Sequence, residues 1–576
     1  MAAATAGAPR ERARPFNAGY VAAAYALLAL LLTISVWRAP STTYIGEGPD
    51  PISAMWGIGW VPFAIAHGLN PLVSTALNHP TGINLLWNQP VAIPLAVLWP
   101  VTALFGAMVT YNLVMTLSLA LASFFAFLVI RRWVPGAVAA AVGGALYGFS
   151  PYMTGQLLGH VNLVLSGVTP PLALMLLDEI LVRRRRRPMT LGLLTALLAV
   201  VQYFISQEVL LTEIMVAAIV ILALAITYRH DVRERAGYVL RCLGWAALPA
   251  AAVLAYPVLF QFFGANHVVN SGAIHGTDIY VTDPANFVVP TVVQLFSPAA
   301  ATNISSHFSG NASEWDAYLG IPLILLLIIA TVHGWRVPVI RVAAIVAVVV
   351  AVLSLGPHIN VQGHPLLAVP LPWWIPAHLP VLDDILPNRL MVYVDLAAAI
   401  VVAFALRALW LMRTRVVLNV AVAVVILLPL VPTLPAPATP LTAPSLFASS
   451  TPAASVQGGV VLFEPYPSND YPEAMFWQLT SGFAFSIVGG YTVGPAAPGA
   501  DGMQRRIRTL TATPTVTLTG SDRVALITAL QSLHVGTVIT GPGATPGIAS
   551  LFTQLFGRPP TADGGFRIWQ VPVYHA

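Results

Sequence analysis

The chain has 576 residues, of which 57% are hydrophobic and only 9% are charged. Soluble domains carry roughly a quarter charged residues, so this composition excludes an ordinary soluble protein and predicts many membrane spans. The net charge of +5 does not indicate a nucleic-acid partner, because the basic residues, all Arg, lie in short clusters between apolar runs. With Cys242 as its one cysteine, the chain forms no intramolecular disulfide and no cysteine-ligated metal site.

The apolar runs, taken in chain order, predict eleven transmembrane helices after a cytoplasmic N-terminal segment, 1–18. Segments 52–68 and 91–105 are expected not to cross, and the Trp-rich first one is expected to lie in the membrane interface, which Trp prefers. If one of them crossed, the five arginines 183–187 would face outwards, against the positive-inside rule. The predicted spans cover about residues 20–37, 108–130, 136–153, 162–182, 189–207, 209–228, 238–260, 318–334, 338–355, 389–409 and 416–432.

This topology defines a transmembrane domain, 19–433, in the plasma membrane, with large outer loops at 38–107, 261–317 and 356–388. The tail, 434–576, opens with a Pro-rich linker and is expected to lie outside the membrane. Its strand-like runs and one helical pattern predict a small α/β domain; they cover 459–463, 522–534 (the helix), 535–540 and 566–571. The predicted fold class is therefore an α-helical polytopic membrane protein with a small extracytoplasmic α/β C-terminal domain.

The first outer loop contains the segment GEGPDP, 46–51, in which Glu47 and Asp50 stand three residues apart. Flanking prolines fix the backbone of Asp50, and a helical segment begins directly after it. A carboxylate held in this way at the membrane surface is a candidate general base. The alternative is that Asp50 only caps the following helix, since Asp is a favoured N-cap residue.

Two arginines, Arg38 and Arg389, fall on the predicted outer side, against the general trend of the chain. A guanidinium matches phosphate oxygens in a bidentate way, so both residues are candidates for binding a phosphate. The alternative for Arg389 is an ion pair with Asp383 or Asp384, and the alternative for Arg38 is an interfacial side chain at a helix end.

Polar residues near the predicted span entrances are candidates for substrate binding: His160, Asn162, Glu208, Glu314 and Tyr318. The alternatives are a structural pairing of Glu208 with Gln202 or Gln207 and a hydrogen-bonded structural role for His160. No HExxH spacing and no compact His/Asp cluster indicates a metal site, which leaves only a divalent cation assembled from distant loops.

The order of these features resembles the GT-C class of membrane glycosyltransferases, bacterial members included, over about residues 15–430. An early acidic residue follows the first span in a long outer loop, about eleven spans are predicted, and an outer domain ends the chain. The matching motifs are Gly48-Pro49-Asp50 with Trp56 and Trp60, Ser150-Pro151-Tyr152, Gly159-His160-Val161-Asn162, Glu314 with Tyr318-Leu319-Gly320, and Pro387 with Arg389.

The resemblance implies the transfer of a sugar from a polyprenyl-phosphate donor to a glycan or glycolipid acceptor of the cell envelope. The resemblance further implies that this transfer takes place on the outer face and inverts the anomeric centre. It also implies that Asp50, or Glu47 as the alternative, deprotonates the acceptor hydroxyl and that Arg389 binds the donor phosphate. Members of the class often carry a paired Asp-Asp or Asp-Glu, and the wider spacing here leaves the choice between Glu47 and Asp50 open.

Two other functions remain open from the sequence. A transporter or flippase for a lipid-linked envelope precursor predicts charged residues deep in several spans and an internal repeat, and the sequence has few such charges and no repeat. A scaffold in envelope assembly, with the outer domain as its working part, predicts that Asp50 and Arg389 are replaceable without loss of function.

Overall fold

The computed structural model describes residues 17–228, 232–269, 274–411, 416–448, 456, 459–512 and 516–572. Of the predicted N-terminal segment 1–18, only Asn17 and Ala18 belong to these residues, so its cytoplasmic position lies outside the described part.

Apolar helices dominate the described chain up to residue 430. By length and composition, six of those described can cross a membrane: Ala107–Ile130, Val161–Arg183, Pro188–Ile205, Gln207–Thr227, Arg233–Phe263 and Pro387–Leu411. Shorter apolar helices are Ala18–Leu32, Ala92–Phe105, Ala137–Gly148, Ile321–Gly334, Pro338–Ser354 and Val420–Leu430. Each predicted span coincides with one of these helices, but five of the coinciding helices fall short of the length of a span. The count of eleven spans therefore stays a prediction.

The Pro387–Leu411 helix runs through the centre of the helical part. An almost unbroken run of its residues, from Met391 to Ala403, is buried. It packs against Pro338–Ser354 and against Ala137–Gly148, whose glycines allow close approach of the backbones. Because the first turn of this central helix carries Arg389, that side chain is fixed to the most enclosed element of the fold.

The first outer loop forms the helix Pro49–Ala66, most of which is buried inside the protein. Trp56 is 1% exposed and Trp60 is 4% exposed, and the two rings stack with centroids 5.4 Å apart. The indole of Trp56 donates a hydrogen bond of 2.7 Å to Gln478, in the C-terminal segment. A distant part of the chain therefore covers these Trp side chains, whereas the position of the helix in the membrane interface stays a prediction.

The described residues between 460 and 570 form a five-stranded mixed sheet with four helices. The strand order is Thr561–Asp563, Phe566–Gln570, Val535–Thr540, Val460–Glu464 and Ser486–Ile487, and the last three strands are parallel. The helices are Glu473–Thr480, Ala500–Leu510, Gly520–Ser532 and Pro546–Phe556. The four elements predicted from the sequence coincide with three of these strands and with Gly520–Ser532, whereas the other three helices were not predicted.

Short strand pairs tie the loops together. Thr43–Ile45 pairs antiparallel with Ala438–Pro440, which joins the first outer loop to the beginning of the tail. Val73–Ser74 pairs with Ile83–Asn84, and His358–Val361 with His364–Pro370. One continuous hydrophobic cluster contains residues of the central helices together with Phe463, Ile539 and Phe566 of the sheet. The sheet therefore packs directly on the helical part.

Candidate functional site

A polar cavity of about 440 Å³ lies where the loops between the helices meet the C-terminal segment. Loop residues and helix ends line it, so its side chains come from parts of the chain that are far apart in sequence. The lining includes Glu47, Asp50, Gln89, His160, Asn162, His275, Tyr280, Glu314, Arg389, Asn469 and Tyr491. The cavity thus contains both carboxylates of the first outer loop and the arginine at the start of the central helix.

Asp50 is the second residue of the Pro49–Ala66 helix and faces the cavity. The N-cap is Gly48, which makes no side-chain capping bond, so the alternative of Asp50 as an N-cap is wrong. Gly46 fixes this segment, because its φ is +92° and a Cβ there would lie 2.5 Å from the carbonyl oxygen of Leu158. The Asp50 carboxylate is 39% exposed, with Oδ1 3.2 Å from the hydroxyl of Tyr491 and Oδ2 3.8 Å from Nε2 of His160.

His160 stands between two carboxylates, with Nδ1 3.8 Å from Oε1 of Glu314. The same nitrogen lies 2.6 Å from Oε1 of Gln156. The amide of Gln156 can point only one way, because its Nε2 donates to the Ser313 carbonyl at 2.9 Å and to Asp316 at 3.0 Å. Its Oε1 must therefore accept from His160, so a neutral His160 carries its proton on Nδ1 and presents Nε2 to Asp50.

Arg389 is held between Glu314 and Glu208. Its Nη2 lies 2.5 Å from Oε1 of Glu314, and its Nη1 lies 2.5 Å from Oε2 of Glu208. Asn388 adds a hydrogen bond of 2.6 Å to Glu314, and the Leu386 backbone N–H donates to Glu208 at 2.9 Å. The alternative of an ion pair between Arg389 and Asp383 or Asp384 is wrong, because Arg389 pairs with Glu208 and Glu314. The alternative of a pairing between Glu208 and Gln202 or Gln207 is also wrong, because Glu208 pairs with Arg389.

Burial and charge act in opposite directions on the acids around the cavity. Burial by itself raises the pKa of Glu314, but the charges of Arg389 and His160 and the hydrogen bonds from Arg389 and Asn388 outweigh it and lower this pKa. Burial, reinforced by the negative charge of Glu314, raises the pKa of Asp316 well above its usual value. Glu314, which holds Arg389, therefore loses its proton more readily than Asp316, which lies beside Gln156.

The candidate residues from the sequence do not all meet at one place. Glu47, Asp50, His160, Asn162, Glu314 and Arg389 line the cavity, and Glu208 reaches it through Arg389. Arg38 is exposed and does not line this cavity. Tyr318 is 6% exposed and belongs to the hydrophobic core, outside the cavity lining. The geometry therefore gives no support to phosphate binding by Arg38 or to substrate binding by Tyr318.

Several residues of the site were missed in the sequence. Gln156 and Asn388 position His160 and Glu314, and Tyr491 contacts Asp50 from the C-terminal segment. The signal for Tyr491 was the pair Gly489-Gly490 directly before it, two residues that both adopt positive φ. Among the described residues, no group of three or more His, Cys, Asp or Glu side chains has the geometry to hold a metal ion.

Solved structures similar to this chain include the arabinofuranosyltransferase AftD from Mycobacteria, with a TM-score of 0.60 and 16% sequence identity. The match covers 97% of this chain but only 40% of the AftD chain. The oligosaccharyltransferase AglB from Archaeoglobus fulgidus matches with a TM-score of 0.45 and 11% identity, over 91% of this chain and 69% of AglB. The likeness to AftD shows a shared fold, as the resemblance to the GT-C class implied.

Curated protein sequences give no match. A family model does match, over residues 21–427, which is more than half of the chain and contains Asp50, His160, Glu314 and Arg389. This match ends before the C-terminal sheet. The chain belongs to the family described as a domain of unknown function, DUF6311.

Proposed function

We propose that the protein is a membrane glycosyltransferase that moves a pentose or hexose from a polyprenyl-phosphate donor to a hydroxyl of a cell-envelope acceptor, with inversion. The fold shared with AftD, whose name states arabinofuranosyl transfer, supports the class of reaction. The residues of the polar cavity support the chemistry, since a carboxylate and an arginine face the same space.

The observation that carries the proposal is one face of the central helix, which contributes lining residues to two separate cavities. Arg389 lies in the polar cavity, whereas Tyr393, Leu396 and Ile400 line an apolar cavity of about 220 Å³ between the helices. Spacings of four, three and four residues place these side chains on one helix face. A phosphate attached to a long hydrocarbon chain fits this arrangement, with the headgroup at Arg389 and the first part of the chain along the apolar residues.

Arg389 retains capacity to bind a phosphate despite its two ion pairs. A guanidinium has five N–H groups, and the contacts of Arg389 with Glu208 and Glu314 use one on each of its three nitrogens. One N–H on each terminal nitrogen is left for a substrate oxygen. The two acids hold the guanidinium in a fixed orientation, which reduces the entropy lost when it binds an anion.

Asp50 is the base of the proposed reaction. The oxygen of the acceptor hydroxyl attacks the anomeric carbon, and its proton passes to a carboxylate oxygen of Asp50. The bond between the anomeric carbon and the phosphate oxygen breaks, and its electron pair leaves on the phosphate, whose charge Arg389 stabilises. Attack opposite to the leaving phosphate inverts the anomeric centre.

The test is sugar transfer in reconstituted vesicles from a panel of radiolabelled pentosyl and hexosyl polyprenyl-phosphate donors. The enzymes compared are the wild type, Asp50→Asn and Glu47→Gln, with Asp563→Asn, an exposed acid in the C-terminal sheet, as the matched control. We expect transfer by the wild type and the control and a loss of about 10²–10⁴-fold in Asp50→Asn, the usual contribution of a general base.

Each other outcome revises the proposal in a defined way. Equal transfer by the wild type and Asp50→Asn removes Asp50 from the mechanism. Loss of transfer only in Glu47→Gln assigns the base to Glu47, the other carboxylate of the segment. Wild type that transfers no sugar from any donor of the panel overturns the transferase and favours transport of a lipid-linked precursor.

A further inference from the structure

Tyr491 brings the C-terminal segment into contact with the proposed base. Its hydroxyl is 3.2 Å from Oδ1 of Asp50, 441 residues away in sequence, and its ring lines the polar cavity. Burial and the neighbouring charge of Asp50 raise the pKa of Tyr491, so the hydroxyl keeps its proton and is the donor of this hydrogen bond. The contact is thus a directed bond to a carboxylate, the stronger kind of hydrogen bond.

The loop that carries Tyr491 is anchored on both sides. After it, the side chain of Asn88 pairs with both backbone groups of Val493, at 2.7 Å and 2.8 Å. Before it, the Asn78 backbone N–H donates to Gly489 at 2.8 Å. A side chain at Gly489 would collide with the ring of Tyr466, 2.6 Å from its Cβ, so the backbone follows a path that only glycine permits. This framework holds the Tyr491 hydroxyl in place.

We infer that Tyr491 is a positioning residue of the transfer site and that the C-terminal segment is a working part of that site. By engaging Oδ1, it fixes the rotation of the Asp50 carboxylate and leaves Oδ2 as the oxygen that accepts the proton. On its other side, Oδ2 has Nε2 of His160 at 3.8 Å, which is beyond hydrogen-bond distance. The inference rests on the proposed function, since it assigns a role to the same base.

Tyr491 differs from the other titratable side chains around Asp50. His160 and Tyr491 lie beside the Asp50 carboxylate, and its charge also acts on Tyr111 of the Ala107–Ile130 helix and on Tyr280. Of these, Tyr491 donates a hydrogen bond to the carboxylate, and it is also the one that the C-terminal segment supplies.

The variant Tyr491→Phe removes this hydroxyl and keeps the ring. We expect kcat to fall about tenfold with KM changed less than threefold, because the hydroxyl acts on the base and not on the substrate. Tyr471→Phe, at an exposed tyrosine of the same segment, should change neither quantity.

A second measurement is independent of activity. Infrared difference spectra of the wild type and Asp50→Asn identify the carboxylate band of Asp50, and the frequency of this band should shift in Tyr491→Phe, because the carboxylate then loses a hydrogen bond. Asn88→Ala, which releases the loop and leaves Tyr491 intact, should shift the band in the same direction. A band unchanged in Tyr491→Phe overturns the inference whether or not sugar transfer is found, whereas absence of transfer in the wild type overturns the proposed function alone.

Discussion

At the scale of single residues, the ion pairs of Arg389 show how charged groups are stabilised when they are buried. Glu314, its main partner, has a side chain only 1% exposed, and Arg389 itself is 15% exposed. An ionised acid in such a position loses most of its hydration, and the guanidinium replaces that hydration with directed hydrogen bonds. Removal of one partner leaves the other charge buried and unpaired.

We therefore expect Arg389→Ala to lower the free energy of unfolding by about 3–5 kcal/mol, as found when one partner of a buried ion pair is removed. Arg38→Ala, at the exposed arginine of the same predicted side, should change it by less than about 0.5 kcal/mol. The measurement is thermal unfolding of the two purified variants in detergent. Similar stability of both variants would show that the buried pair contributes nothing to the fold.

The sequence predicted which residues face the cavity better than it predicted their partners. The sequence indicated Asp50, Glu314 and Arg389 because each was predicted to lie on the outer side of the membrane. Each also stands next to prolines or to the entrance of a predicted span. Their contacts could not be found, because Glu208 and Glu314 lie 181 and 75 residues from Arg389, whereas sequence reasoning favoured the adjacent Asp383 and Asp384. Pairing across such separations depends on how the helices pack.

At the scale of the helices, close packing depends on glycines of the Ala137–Gly148 helix. A Cβ on Gly144 would lie 2.6 Å from the backbone oxygen of Ser123, and one on Gly148 would lie 2.6 Å from the backbone nitrogen of Ser123. Both glycines face the Ala107–Ile130 helix, and their spacing of four residues is the small-xxx-small pattern of membrane helix pairs. The Ser123 backbone cannot move aside without bending that helix.

We expect Gly148→Ala to destabilise the protein by about 1–3 kcal/mol, the usual cost of overpacking. The control is Gly244→Ala, because Gly244 is also helical but has no neighbour within 4 Å of an added Cβ. That control should be neutral or stabilising by up to about 1 kcal/mol, since Ala is the better helix former. The measurement is the midpoint of thermal unfolding, and equal midpoints for the two variants would contradict close packing at Gly148.

Helix positions follow from hydropathy, which is a local property, and so most helices were predicted. The surroundings of the Pro49–Ala66 helix were not, because the Gln478 side chain that binds Trp56 lies 422 residues further along the chain. The helices Glu473–Thr480, Ala500–Leu510 and Pro546–Phe556 were missed for a different reason. They are short, and Pro or Gly precedes or begins each one, which in the sequence resembles a loop.

At the scale of the whole molecule, the C-terminal sheet and the helices share one hydrophobic cluster, so the stability of the sheet affects the site. Glu464, at the end of the strand Val460–Glu464 of this sheet, is 4% exposed and accepts a hydrogen bond of 2.7 Å from Gln504. Burial raises its pKa from the usual 4.5 to about 7, against smaller opposing effects of Gln504 and Arg508. The folded protein therefore holds a proton that the unfolded chain releases more easily.

The raised pKa of Glu464 determines the direction in which the stability of the protein changes with pH. Between pH 4.5 and about 7 the folded state binds more protons than the unfolded state, so stability decreases as pH rises through this range. The contribution of Glu464 is fully present below pH 4.5 and is lost above about pH 7. A shift of this size corresponds to about 3 kcal/mol between the two limits.

We therefore expect Glu464→Gln, which keeps the acceptor oxygen for Gln504 and removes the ionisation, to be more stable than the wild type at pH 8 by up to about 3 kcal/mol. At pH 5 the two proteins should differ little, because Glu464 is then protonated. Fluorescence of Trp477 and Trp569, which lie in the C-terminal segment, reports unfolding of the sheet during heating. The variant Asp563→Asn, at an exposed acid of the same sheet, should follow the wild type at both pH values. A Glu464→Gln protein that loses as much stability as the wild type between pH 5 and pH 8 would assign the pH dependence to other groups.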